Sequence, residues 1–146
     1  MVNVPLQAAR GEEAHFYDEL AAGRIAYQVC DGCAEAVWYP RAVCPNCGTA
    51  RLVWRQSAGR GTVYSYTVLE RAGHPARRDD VPYAVALIDL DEGIRVLGNL
   101  ALAGHAESAA STHPIGRAVT ASIVQAGDGD DRGVATMLFT ITGEAA

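Results

Sequence analysis

CDGCAEAVWYPRAVCPNCG, residues 30–48, holds every cysteine of a chain of 146 residues. The spacing is Cys30-x2-Cys33-x10-Cys44-x2-Cys47. Two CxxC pairs separated by a short segment describe a tetrahedral thiolate site, with zinc as the expected ion, in a small ribbon. Four cysteines also suit iron in a rubredoxin-like site, and redox dithiols are a third reading. Neither pair is followed by histidine, which excludes covalent haem attachment. Four sulfurs close the shell, whereas a catalytic zinc keeps one position open, so the site reads as structural. No thiol is left over for nucleophilic chemistry.

Turn chemistry supports the same reading. Gly32 is expected to take a positive φ in the first knuckle, while Pro45, Asn46 and Gly48 suit the second. Such turns aim backbone N–H groups at the thiolates. Arg41, Arg51 and Arg55 lie close enough in sequence to offset thiolate charge. A ribbon of this length builds little apolar core, and metal ligation replaces it, contributing about 10–16 kcal/mol in isolated finger peptides. Short strands are expected over 25–29, 37–39 and 52–54, with Trp38, Tyr39 and Trp54 packing on the ribbon.

On the N-terminal side, residues 11–22 predict an amphipathic helix. Glu12 and Glu13 occupy its first turn, where carboxylates favour the positive end of the helix dipole. Phe16 and Leu20 share one face, and Gly23 suits a left-handed cap. That apolar face can pack on its own domain or dock on a partner, and both readings stand. On the C-terminal side the period changes to two. Strands are expected over 61–70, 83–90, 94–102, 117–125 and 134–142, with a hairpin turn at Asp91-Glu92-Gly93. The 83–90 run is nearly all apolar, so both of its faces are expected to be covered. Gly61 and Gly98 mark places where a coiled strand would bend, and 103–116 is expected to be a loop. The fold class is therefore mainly β: an N-terminal leader and helix (1–24), a rubredoxin-like zinc ribbon (25–57) and a five-stranded OB-fold barrel (58–146).

Composition narrows the function. The formal net charge is -5, and all twelve basic residues are arginine. A dianionic tetrathiolate site makes the chain more acidic still, which disfavours a nucleic-acid backbone as partner. No apolar run is long enough for a membrane helix, and residues 1–10 carry no secretory pattern, so a cytoplasmic location is expected. Nucleophile-elbow, P-loop and HExxH motifs are missing from the sequence, and no catalytic residue is assigned. The carboxylates Asp79, Asp80, Asp89, Asp91 and Glu92 read mostly as solvated turn residues. The loop 71–82 is long for a barrel connection, and long ordered loops are often functional. His74, Arg77 and Arg78 on it are the candidate ligand or partner contacts. The opposing reading pairs Arg77 and Arg78 with Asp79 and Asp80.

The ordered set Cys30-Asp31-Gly32-Cys33, Tyr39-Pro40-Arg41, Cys44-Pro45-Asn46-Cys47-Gly48, Gly59 through Val68, Val81-Pro82-Tyr83 and Leu90-Asp91-Glu92-Gly93 resembles the zinc-ribbon/OB-fold family catalogued as domain of unknown function thirty-five. The resemblance covers about residues 11–142. It implies a zinc ribbon followed by an OB barrel, and a non-catalytic accessory subunit of a thiolase-superfamily enzyme such as a thiolase, an acyltransferase or a steroid side-chain aldolase. The partner would carry the catalytic residues, with acyl-CoA at or near the shared interface. With no hydratase-like domain fused here, that partner is expected to be a separate chain, in a hetero-oligomer with two copies of each subunit. The alternatives are a nucleic-acid-binding ribbon/OB module and a stand-alone acyl-CoA-binding protein.

Overall fold

The computed structural model describes residues 11–73, 75–102, 113–125 and 135–144. Two compact units make up the chain. One is centred on the residues up to Ala58, and Glu92–Ile94 belongs to it; the other is built mainly from the strands after Gly59.

The first unit opens with helix α1 (Glu12–Ala21), which ends as expected at Gly23 with φ 80°. Phe16 and Leu20 are each 3% exposed. The helix is partnered within its own unit: Phe16 meets Trp38 edge-on at 5.0 Å between centroids, and His15 lies 4.4 Å from Trp54. This answers the question that amphipathicity left open. Three strands follow, β1 (Ala26–Cys30), β2 (Ala36–Val37) and β3 (Leu52–Gln56), in the antiparallel order β2-β1-β3. Alternation puts Ala26, Gln28 and Cys30 on the buried face of β1. A buried glutamine needs partners, and Gln28 has two. Its amide donates to the Arg41 carbonyl (3.0 Å), and its oxygen accepts the Arg41 N–H (2.8 Å).

Five further strands, which lie mostly in the second unit, are β4 (Arg60–Leu69), β5 (Tyr83–Leu90), β6 (Arg95–Ala101), β7 (Arg117–Gln125) and β8 (Ala135–Glu144), and they close into a barrel in the order β4-β5-β6-β8-β7. Neighbours β4–β5, β5–β6 and β4–β7 are antiparallel, while β6–β8 is parallel. This is the five-stranded OB-type closure, which leaves no free sheet edge. Its interior holds Val63, Ala86, Ile88, Val96, Val119 and Phe139, each 0–1% exposed. Strand β5 alternates fully buried with half-buried residues, so neither face is bare, as its apolar run suggests.

Three details depart from the sequence reading. The irregularity in β4 lies at Tyr64, between Val63 and Ser65, rather than at a glycine. Gly61 and Gly98 instead permit close approach. A Cβ on Gly61 would collide with the Asp89 carbonyl, and one on Gly98 would sit 2.6 Å from Phe139 Cε2. Glu92 is also not simply a solvated turn carboxylate. Its Oε1 accepts the Ala58 N–H at 2.7 Å, and its buried Oε2 has no hydrogen-bond partner among the described residues. The expected loop at 103–116 falls largely outside the described residues.

Candidate metal centre

Cys30 ends β1, so the strand itself aims the first sulfur. The two knuckles that follow are built alike. Ala34 N–H bonds the Cys30 carbonyl (2.8 Å) and Cys30 N–H bonds the Glu35 carbonyl (2.9 Å). In the second knuckle Gly48 N–H bonds the Cys44 carbonyl (2.9 Å), and Cys44 N–H bonds the Thr49 carbonyl (2.8 Å). The residue after each second cysteine turns left-handed: Gly48 at φ 75° and Ala34 at φ 62°. The expected positive φ at Gly32 is therefore displaced to Ala34. Gly32 is small for another reason. Its N–H donates to Cys30 Sγ at 3.3 Å, and a Cβ there would lie 3.1 Å from the Thr49 methyl.

All four Sγ atoms lie within 4.8 Å of one another. Cys30 and Cys47 sulfurs are 3.5 Å apart, and those of Cys33 and Cys44 are 3.7 Å apart. A Zn–S bond of about 2.3 Å in a regular tetrahedron separates ligand sulfurs by about 3.8 Å. The donor set and its spacing thus fit a tetrahedral divalent ion. Cys30 and Cys44 are buried against Val37, with Cys33 and Leu52 packed alongside. This cluster is the small apolar heart of the ribbon.

Without a cation, the Cys33 and Cys47 thiols are pushed in opposite directions. The Asn46 side-chain amide, 3.5 Å from Cys33 Sγ, and a backbone bond at Glu35 pull the Cys33 thiol down to about 6. The Thr49 backbone N–H pulls on Cys47, but sharing with Cys30 and the other sulfurs outweighs it and lifts that thiol to about 12. A bound cation removes the conflict, because each sulfur then faces positive charge. Of the three arginines expected to help, Arg51 alone is placed at the first knuckle. Its Nη2 and Cys30 Sγ lie 3.4 and 3.5 Å from the same Cβ position on Gly32. Arg55 donates to the Trp54 carbonyl, and Arg41 is tied through its backbone to Gln28.

The other candidate residues lie in the barrel unit, away from the sulfurs in sequence. Arg77 sits in a short 3-10 turn (Pro75–Arg77), pairs with Asp80 at 2.9 Å, reaches Asn99 Oδ1 at 3.3 Å and stacks 3.9 Å over Tyr83. Its donors are largely engaged. Arg78 is exposed and has no side-chain partner among the described residues. His74 lies outside them. Sequence reasoning missed Gln28, whose polar character on the buried side of β1 was the available signal. It also missed the Arg95–Tyr64 stack, 3.3 Å from guanidinium to ring, with Arg95 held by Asp89.

Residues 18–53 match the rubredoxin-like zinc ribbon domain of ChsH2, and residues 54–124 match the C-terminal OB-fold domain of ChsH2. The chain belongs to this zinc-ribbon/OB-fold family. It is similar to a solved structure described as an Ltp2-ChsH2(DUF35) aldolase, with TM-score 0.75 and 28% identity over 92% of this chain and 97% of that one. A Sulfolobus solfataricus DUF35 protein of unknown function has the same fold, with TM-score 0.58 and 14% identity. The alpha subunit of a 3-oxo-4,17-pregnadiene-20-carboxyl-CoA hydratase from Mycobacterium tuberculosis is 35% identical over 61% of this chain, and a probable enoyl-CoA hydratase alpha subunit from Thermomonospora curvata is 35% identical over 66%. A DUF35 domain-containing scaffold protein from Methanocaldococcus jannaschii is 32% identical over 49%. The chain spans 28–30% of the length of the two hydratase subunits and 50% of the archaeal protein. Among the described residues, no helix is long and apolar enough to cross a membrane.

Proposed function

We propose that this chain is a non-catalytic accessory subunit of a thiolase-like acyl-CoA enzyme, one that stabilises its partner and helps form the partner's acyl-CoA channel. The observation that carries this reading is the likeness, over nearly the whole of both chains, to a structure described as an Ltp2-ChsH2(DUF35) aldolase. The hydratase alpha-subunit relatives add support, since one of their names specifies a CoA thioester. In this reading Cys30, Cys33, Cys44 and Cys47 hold one structural zinc. Bound there, zinc would cross-link the two knuckles through all four sulfurs and play a structural part.

The chain's own residues then bind and position rather than react. The two knuckles, with Gln28 holding Arg41 in the segment between them, keep the ribbon in one shape, and the barrel offers a wall. Domains at 1–24, 25–57 and 58–146, a cytoplasmic location and two copies of each subunit complete the proposal. Of the two candidate arginines, Arg78 has no side-chain partner among the described residues and could meet a CoA phosphate or a partner carboxylate. Arg77 is already committed to Asp80, Asn99 and Tyr83.

Co-expression of the tagged chain with the thiolase-like protein encoded beside it tests the proposal. A stable complex with about one zinc per copy of this chain, active on an acyl-CoA that neither chain turns over alone, is the expected result. A zinc-loaded chain that never captures that protein, or that turns over acyl-CoA by itself, would overturn it.

A further inference from the structure

The four cysteines differ sharply in exposure. Cys30 and Cys44 are 1% exposed, Cys33 is half-buried, and Cys47 is exposed. Cys33 also carries the Asn46 amide and Cys30 the Gly32 N–H. Zinc-bound thiolate keeps its nucleophilic electron pairs, so an oxidant in water meets the sulfur that water reaches. The sulfur facing Cys47 across the cluster is Cys30, at 3.5 Å, and it belongs to the other knuckle.

We propose that the ribbon is a peroxide-responsive metal switch in which Cys47 is attacked first and Cys30 resolves it across the two knuckles. The inference rests on the four thiolates holding zinc. In the first step the Cys47 thiolate attacks hydrogen peroxide. The S–O bond forms, the O–O bond breaks, and hydroxide leaves, giving a sulfenic acid. In the second step the Cys30 thiolate attacks the Cys47 sulfur. The S–S bond forms, the S–O bond breaks, and a second hydroxide leaves. Two thiolates are oxidised by two electrons, and one peroxide is reduced. The ion keeps only Cys33 and Cys44 and departs as the divalent cation. A second peroxide can join those two sulfurs, which are 3.7 Å apart. Bonds formed this way tie one knuckle to the other, so the oxidised ribbon keeps its ends together where the ion had held them. Thiol reductant and zinc reverse the change.

The chain lends itself to a decisive test, because trypsin cleaves after Arg24, Arg41 and Arg51. Cys30 and Cys33 then fall on peptide 25–41, and Cys44 and Cys47 on peptide 42–51. The full-length, zinc-loaded chain is titrated with hydrogen peroxide in the presence of a zinc-reporting dye, with and without a 1,3-dione sulfenic-acid trap, then digested and mapped by mass spectrometry. Stoichiometric zinc release, first trap adducts on Cys47, and peptides 25–41 and 42–51 joined by disulfide are expected. Zinc retained under peroxide that oxidises a free-thiol control would overturn the switch. First adducts on Cys33 or Cys44 would overturn the entry point. Peptides each closed by an internal CxxC disulfide would overturn the cross-knuckle step. A purified chain that holds no zinc before any peroxide is added would instead sink the metal reading beneath it.

Discussion

The ribbon and the barrel solve the same problem with different materials. The barrel buries Phe139, Ile88, Val63, Val96 and Val119 almost completely and ties them together with a closed ring of strands. The ribbon packs two of its four clustered cysteines, Cys30 and Cys44, against Val37. Below about 40 residues a domain seldom hides enough apolar surface to fold alone. With an ion on the four sulfurs, one region would be held by area and the other by coordination, and each should fail to a different insult.

Removing the metal is the sharpest way to separate them. Chelation, or Cys44→Ser, should abolish ribbon order, since apparent binding energies of about 10–16 kcal/mol are folding energy in such sites. Hydrogen exchange should show amides of Ala26–Cys30 and Leu52–Gln56 losing protection while those of Tyr83–Leu90 keep theirs. Barrel strands that lose protection together with the ribbon would show the two regions to be one cooperative unit.

Phe139→Ala is the reciprocal insult. Truncating a fully buried phenylalanine costs about 3–5 kcal/mol. Its ring also lies against Gly98, where no side chain can fill the void. An unfolding free energy from urea titration that falls by that amount, with zinc content unchanged, would confirm that apolar area holds the barrel. Zinc lost in parallel would blur the contrast.

Gln28→Leu tests whether the ribbon depends on more than its ion. The change leaves both the N–H and the carbonyl of Arg41 without their partners, at a cost of about 1–3 kcal/mol if they stay dry. A chelator competition should read this as weaker zinc retention. An unchanged competition curve would mean that water replaces Gln28 without loss. Ala34→Gly works in the opposite direction. An alanine at φ 62° costs about 1–2 kcal/mol in the left-handed region, and part of the relief is returned as chain entropy, leaving about 0.5–1 kcal/mol of stabilisation. Zinc should be held two- to fivefold more tightly, a factor of about that free energy.

How much of this was readable beforehand follows from the range of the interactions. The cysteine spacing, Phe16 and Leu20 on one helix face, and the apolar run Tyr83–Leu90 are local signals, and each led to the observed element. The left-handed position did not, because Gly32 and Ala34 both sit in the first knuckle. Only its closure by Ala34 N–H onto Cys30 O selects which of them turns. Gly61 and Gly98 looked like bends because what crowds them, the Asp89 carbonyl and the Phe139 ring, arrives from distant strands. Arg77 looked available for a ligand for the same reason. Its partner Asp80 was visible in the loop, but Asn99 and Tyr83 come from β6 and β5.

The smallest effect lies on the barrel surface, where charge rather than area or metal can be titrated. Arg95 grips Asp89 through two bonds, 2.5 and 2.9 Å, and stacks on Tyr64. The hydrogen bond from Arg95 holds the Asp89 carboxyl below its ordinary 3.8. A carboxyl whose pKa is lower in the folded state binds protons less readily there than in the unfolded chain. Its contribution to stability is therefore complete above the ordinary value and is lost as pH falls through that value towards the folded one. Asp89 and Arg95 side chains are 46% and 44% exposed, so water and salt screen the pair, and less than about 1 kcal/mol is expected. Stability of wild type and Asp89→Asn should differ by a constant amount near about pH 6 and begin to converge as pH falls below about 4. Added salt should shrink the gap at the upper end. If the two curves run parallel across that range, the ion pair contributes nothing, and the barrel rests on its apolar interior alone. If they converge while zinc content stays constant, the pH response belongs to the barrel and not to the thiolates of the ribbon.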